Sequence, residues 1–194
     1  MISIFPVHLI ITAAGSSTRL GTGTKKEYIS VQDNDNNTVL SLSCIGFLNT
    51  FLDSRVSPFF KLASVVVTCP KDRIIDGKNA LFSNKKVEKL FEQLRVEPVF
   101  VEGGETRQLS VLKALEACKE SSKAVSLECA SSDEKSFRDS SLVLIHDGAR
   151  PWVDFQTIYN VLSVTKEKGA CVPYIPITDT IALQKDGTID SYIN

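Results

Sequence analysis

Histidine is nearly absent from this 194-residue chain: only His8 and His146 occur, too few for a multi-histidine metal centre. The five cysteines, Cys44, Cys69, Cys118, Cys129 and Cys171, are odd in number, widely spaced and without a C-x-x-C pair. That argues against a disulfide framework and a zinc site and points to small apolar residues in or near a core. Charge of one sign is also missing. Lys+Arg 22 against Asp+Glu 23 creates no basic field, so no nucleic-acid partner is indicated. No apolar run approaches the length of a membrane span, and MISIFPVHLII has neither a basic n-region nor a small-residue cleavage site. The expectation is a cytoplasmic protein with no membrane association. There are no internal repeats, and with 43% apolar and 23% charged residues the chain reads as one globular domain with a sizeable core.

What is present is concentrated in Leu9–Tyr28, LIITAAGSSTRLGTGTKKEY. A β-type apolar run ends in Ala13, Ala14, Gly15, Ser16, Ser17 and Thr18, followed by Arg19 and the pair Lys25 and Lys26. Small residues let backbone N–H groups surround an anion while long cationic side chains neutralise it, the requirements for holding a polyphosphate. Two familiar phosphate loops fail on spacing. After Gly15 the next glycine, Gly21, comes one position too late for a Walker A loop and is followed by Thr22 where that loop has lysine. Gly21 and Gly23 begin a G-x-G pattern, but Lys26 stands where the third glycine belongs, and both lie well past the strand end. A solvated βα loop with chance charges is the plainer reading of the segment alone.

Strand and helix signals alternate along the chain. Val7–Ala13, Leu62–Cys69, Glu97–Glu102, Leu142–His146 and Ala170–Ile175 read as strands. Thr38 reads as an N-cap before a helix with Leu40, Cys44, Phe47 and Phe51 on one face. Asn84–Leu94, Glu105–Cys118 and Val153–Lys168 carry helical spacing, the last closed by Gly169. Asp33–Asn37 reads as a turn, and Lys119–Ser141, with eight serines and little apolar pattern, as an exposed loop. Asp186-Gly187 marks a hairpin turn. Repeated β-α-β units predict an α/β fold, a mostly parallel sheet with helices on both faces. Ligands bind such sheets at the carboxyl ends of the strands, where the charged loops fall.

Two further loops belong there. EGGETRQLS, Glu102–Ser110, permits close backbone approach through its glycines, although a Gly-rich strand-to-helix turn has the same composition. In VLIHDGARP, Asp147 ends a strand and Arg150 follows three residues later. Such an Asp is ordinarily a turn or cap residue; beside a phosphate loop it becomes a natural Mg²⁺ ligand, since Mg²⁺ takes one or two carboxylates plus substrate phosphates.

The segments TAAGSSTRLG, KKEY, GGETRQLSV, HDGARP and PITDT, in this order, resemble the cytidylyltransferases, and among them the 2-C-methyl-D-erythritol 4-phosphate cytidylyltransferase family of the non-mevalonate isoprenoid pathway. The resemblance spans essentially the whole chain. It implies a Rossmann-like nucleotidyltransferase core and transfer of CMP from CTP to methylerythritol 4-phosphate with release of pyrophosphate. By the same likeness, Arg19 and Lys26 match the transition-state cations and Asp147 the Mg²⁺ ligand. Ala13, Ala14, Gly15, Gly104, Glu105, Ser110 and Gly148 match positions around the nucleotide. Arg150, Asp179 and Thr180 match the region that holds the sugar-alcohol phosphate, with Thr180 supplied by the partner subunit. The family's β-arm implies a homodimer, with residues 176–194 the start of that arm within a single domain 1–194.

Three positions depart from the family pattern: Ser17 stands at a common glycine, Lys25 at the common proline, and Glu105 where aspartate is frequent. The family also continues past the arm with an arginine, a Thr-Pro-Gln-type segment and later an Asp and a Lys. The resemblance therefore implies a chain shortened on its C-terminal side, and weakened or absent turnover. A ribitol-5-phosphate cytidylyltransferase shares these core motifs, and a non-catalytic nucleotide-binding relative is the reading from another class.

Overall fold

The strand β1 (Phe5–Thr12) is buried at every residue but its two ends, and Val7, Leu9, Ile10 and Ile11 have no exposed surface. Its near-continuous apolar run is what a strand covered on both faces requires. The computed structural model describes residues 4–15, 25–31, 36–126 and 141–193, with only the backbone of 122–126. In it β1 pairs in parallel with β2 (Phe60–Cys69) on one side and β4 (Leu142–Asp147) on the other. The strand β3 (Pro98–Glu102) adds in parallel beyond β2, giving the order β3-β2-β1-β4.

Helices cover both faces, as the alternation predicts. On one face α1 (Val39–Leu52), α2 (Ile74–Leu81), α3 (Lys85–Leu94) and α5 (Phe155–Lys168) pack on Val7, Leu9 and Ile11 and on Val65 and Val67. On the other, α4 (Arg107–Ser126) brings Ala114, Ala117 and Cys118 against Ile10 and Val66. Small side chains on α4 let it approach closely. His8 lies on this second face, buried, with Nδ1 2.8 Å from Ser64 Oγ, and burial lowers its pKa.

Local chemistry sets the helix ends. The Thr38 hydroxyl accepts the Ser41 N–H at 3.1 Å while Ser41 Oγ accepts the Thr38 N–H at 2.9 Å, a closed capping box. The same Thr38 hydroxyl donates to the Ala80 carbonyl at 2.7 Å, tying α1 to the end of α2. Asp154 caps α5 through the Thr157 N–H at 2.6 Å, and Gly169, with φ of 86°, closes it.

Two expectations need correction, and one element was not read from sequence. The helix ending at Cys118 continues to Ser126. Half of its extra residues, Lys119, Glu120, Lys123 and Ala124, are good helix formers, so the helix continues where the apolar period has stopped. The remainder of that serine-rich stretch, 127–140, lies outside the described residues. Ala170–Ile175 is not a strand: none of the described residues supplies ladder hydrogen bonds to it, and Val172, Tyr174 and Ile175 are exposed. The helix α2 carried too short an apolar pattern to be read from sequence.

After that stretch β5 (Ile181–Lys185) and β6 (Thr188–Ile193) form an antiparallel hairpin. Asp186 and Gly187 both take positive φ, 51° and 82°, as a two-residue primed turn demands. No described helix is long and apolar enough to cross a membrane.

Thr38 carries both a cap and a tertiary bond from a buried position. Thr38→Ala should therefore destabilise the fold by about 1–3 kcal/mol, whereas Thr38→Ser should retain most of that. Denaturant melts of the two variants check this.

Candidate active site

The order β3-β2-β1-β4 reverses direction at β1, since β2 and β3 extend to one side and β4 to the other. A crevice opens beyond the strand ends at such a switch point. Register places the terminal residues level: Thr12 pairs with Thr68 on β2 and with Asp147 on β4. A cavity of about 300 Å³ lies there, with Thr12, Thr68 and Asp147 at its base. Ala14 and Gly15 form one wall, Gly104, Glu105 and Ser110 another, and Lys26 and Glu27 enter from a short 3₁₀ turn, Lys26–Tyr28. A second cavity of about 590 Å³ shares Ala14, Gly15, Gly104 and Glu105 and runs on to Lys25, Lys71 and Arg73.

Backbone contacts shape these walls. The Ala13 N–H reaches the Thr68 carbonyl and the Thr68 hydroxyl, both at 3.1 Å, and turns the chain out of β1. Gly103 and Gly104 are glycines because of close approach. A Cβ on Gly103 would run into the Ala14 side chain, and one on Gly104 into Leu109. Ser110, buried in the first turns of α4, accepts the Gly104 N–H at 3.0 Å and lies 3.0 Å from the Thr106 carbonyl. It thus holds the second wall in place.

Asp147 is the acidic centre. Its Oδ1 accepts the Ala149 N–H at 3.1 Å and its Oδ2 lies 3.4 Å from Arg150 Nε. Burial alone would raise its pKa, but the Ala149 bond and the charges of Lys26 and Arg150 outweigh burial and hold the carboxyl below its usual range. An ionised carboxylate beside a phosphate-sized cavity suits Mg²⁺, which completes its shell with phosphate and water oxygens. Among the described residues no group of three or more His, Cys, Asp or Glu could hold a metal by itself. Protein ligands alone would therefore not make this site.

The predicted residues separate by position. Ala14, Gly15, Gly104, Glu105, Ser110, Lys26 and Asp147 share the groove, and buried Ala13 lies behind it. Arg150 stands at its edge, 78% exposed. Gly148 lies under the groove: a Cβ there would meet Ile11 and Leu40, and its carbonyl accepts the Ser43 hydroxyl at 3.0 Å. Asp179 and Thr180 are exposed before β5 and do not line the groove. Arg19, with Ser16, Ser17 and Thr18, lies outside the described residues.

Sequence reasoning missed His146. Its half-buried ring packs on Phe47, centroids 4.8 Å apart, and burial lowers its pKa. The neutral ring donates from Nε2 to the Arg150 carbonyl at 2.9 Å, closing the turn that carries Asp147. Nothing in HDGARP distinguishes that role from a chance histidine.

Known proteins resemble this chain in sequence and fold. The family model described as 2-C-methyl-D-erythritol 4-phosphate cytidylyltransferase matches residues 7–131 and 134–193. A bifunctional enzyme IspD/IspF of Aliarcobacter butzleri is 32% identical over 184 residues, covering 95% of this chain and 37% of that protein. A 2-C-methyl-D-erythritol 4-phosphate cytidylyltransferase of Lachnoclostridium phytofermentans is 30% identical over 186 residues, covering 95% of this chain and 63% of that protein. The crystal structure of the Thermus thermophilus cytidylyltransferase of that name superposes with a TM-score of 0.53 at 24% identity, over 95% of this chain and 62% of that one. That of 4-diphosphocytidyl-2C-methyl-D-erythritol synthase from Anaerococcus prevotii gives 0.54 at 19%, over 98% and 65%. The chain thus spans less than two thirds of the length of these relatives. The family match runs through β1, the Gly103-Gly104 wall, the Asp147 turn and the hairpin, and by it the chain belongs to the 2-C-methyl-D-erythritol 4-phosphate cytidylyltransferase family.

Proposed function

We propose that this chain carries the nucleotide half of a cytidylyltransferase, which transfers CMP from CTP to 2-C-methyl-D-erythritol 4-phosphate and releases pyrophosphate. One observation carries the reading: Lys26 and Asp147, far apart in sequence, meet in the same groove as the Ala14–Gly15 and Gly104–Glu105 walls.

The chemistry asks for no activated side-chain nucleophile. An oxygen of the acceptor phosphate monoester, already anionic near neutral pH, attacks the α-phosphorus of CTP. The bond from that phosphorus to the α,β-bridging oxygen breaks, and pyrophosphate leaves with the electron pair. The protein's task is alignment and charge. The Ala13–Gly15 and Gly104–Glu105 backbone would receive the nucleotide, with Ser110 holding the second wall. Lys26, and Arg19 by family likeness, would place positive charge where it builds on the α-phosphate. Mg²⁺ bound by Asp147 and phosphate oxygens would supply further neutralisation. Arg150 at the groove edge would meet the acceptor's phosphate, while Asp179, and Thr180 from the partner subunit's arm, would meet the hydroxyls of the sugar alcohol.

We place the protein in the cytoplasm as a homodimer joined through the hairpin. Exposed Leu183, Ile189 and Tyr192 on the two strands support that assembly, since an isolated two-stranded hairpin is marginally stable in water.

The deciding assay is CTP- and Mg²⁺-dependent pyrophosphate release with methylerythritol 4-phosphate, with ribitol 5-phosphate as control acceptor. Lys26→Ala should lower kcat by about 10²–10³-fold, the loss typical of one transition-state donor. Equal turnover by Lys26→Ala would overturn its role. Asp147 should stay ionised until the pH falls below the ordinary carboxylate range. The acid limb of kcat/KM should therefore follow the acceptor phosphate, with an apparent pKa of about 6, and not Asp147. Leu183→Lys should shift sedimentation equilibrium toward monomer.

A further inference from the structure

Lys25 and Lys26 are adjacent in sequence and opposite in use. Lys26 lines the groove, whereas the Lys25 side chain is only 5% exposed. Lysine is almost never buried this far without a partner. Its ammonium donates to the Gly15 carbonyl and lies 3.7 Å from the carboxylate of Glu27, itself 2% exposed. Burial pulls the Lys25 pKa below the usual lysine range, and Glu27 opposes that pull. Lys25 and Glu27, on either side of Lys26, are thus buried against each other, Glu27 at the groove beside Lys26 and Lys25 at the larger cavity.

The backbone strengthens this arrangement. The Tyr28 N–H reaches the Lys25 carbonyl at 3.0 Å and closes the turn. The Val39 N–H reaches the Ile29 carbonyl at 3.1 Å and ties the turn to the start of α1. Gly15, ten residues before Lys25, is the wall that would receive the nucleotide. One ammonium therefore joins the β1 loop to the turn bearing Lys26.

We propose that Lys25 and Glu27 are positioning residues, a buried ion pair that holds the Gly15 carbonyl and the Lys26 turn in the geometry needed to bind CTP. This rests on the nucleotide reading above. Lys25 does not act as a phosphate ligand, because its charge is spent on Gly15 and Glu27. The two roles predict opposite signs for one substitution. If Glu27 only adds negative charge near a polyphosphate, Glu27→Gln should leave CTP binding unchanged or tighten it. If Glu27 holds Lys25 in place, the same substitution should weaken binding.

The experiment is calorimetric titration of CTP with Mg²⁺ into the full chain and into Lys25→Met, Lys25→Arg, Glu27→Gln and the Lys25→Met/Glu27→Gln double variant, with a melting temperature for each. Lys25→Met and Glu27→Gln should each raise Kd by about tenfold, and the double variant by no more than the worse single, since both break one interaction. Lys25→Arg should recover part of the loss. If Lys25→Met does not fold, the isosteric Glu27→Gln carries the test. Unchanged or tighter binding by Glu27→Gln, additive losses in the double variant, or a lowered melting temperature with unaltered Kd would each overturn the proposal. Failure of the unsubstituted chain to bind CTP would overturn the nucleotide reading and this one with it, a result distinct from failure in the variants.

Discussion

The structure depends on the burial of β1 between two parallel neighbours. Each of its residues from Val7 to Thr12 is matched to one on β4 and to one on β2, where a single bulge skips Ala63. With both faces covered, a shift of one residue would send the Val7, Leu9 and Ile11 set to the α4 side and Ile10 to the other. The register is therefore tightly held, and it sets Thr12, Thr68 and Asp147 at one level. The groove is a consequence of the same packing that makes the core.

Around this fixed floor the site is made mostly of backbone and charge. The Gly103–Gly104 wall is packed so closely that a Cβ on Gly103 would collide with Ala14 and one on Gly104 with Leu109. Ser110, Ser43 and His146 spend their polar atoms on main-chain groups of the surrounding loops. Such bonds give short loops a defined shape, so donors and charges are already aimed before a ligand arrives. The hairpin behaves differently. Its strands pair with each other and leave most side chains exposed, so its geometry relative to the groove is set by little in the four-stranded sheet.

Much of this was legible in the sequence because it rests on local rules. The apolar run of β1, the Thr38 cap, the Gly169 stop and the Asp186-Gly187 turn follow from period, capping and positive-φ preference. The extension of α4 and the unpaired course of Ala170–Ile175 did not. The added turns of α4 carry no apolar period in sequence, and whether an extended segment becomes a strand is decided by a neighbour that the segment does not contain.

The sequence by itself determined the α/β class, the order of the three charged loops and the residue types available for phosphate chemistry. Only tertiary structure decided which charges face the groove. Lys25 and Lys26 are indistinguishable as letters, yet one is buried against Gly15 and Glu27 while the other lines the groove with Asp147. Gly148, one residue beyond Asp147, lies beneath the groove against Ile11 and Leu40. The physical reason is that desolvation and strand register are properties of the packed sheet, and a linear pattern carries neither.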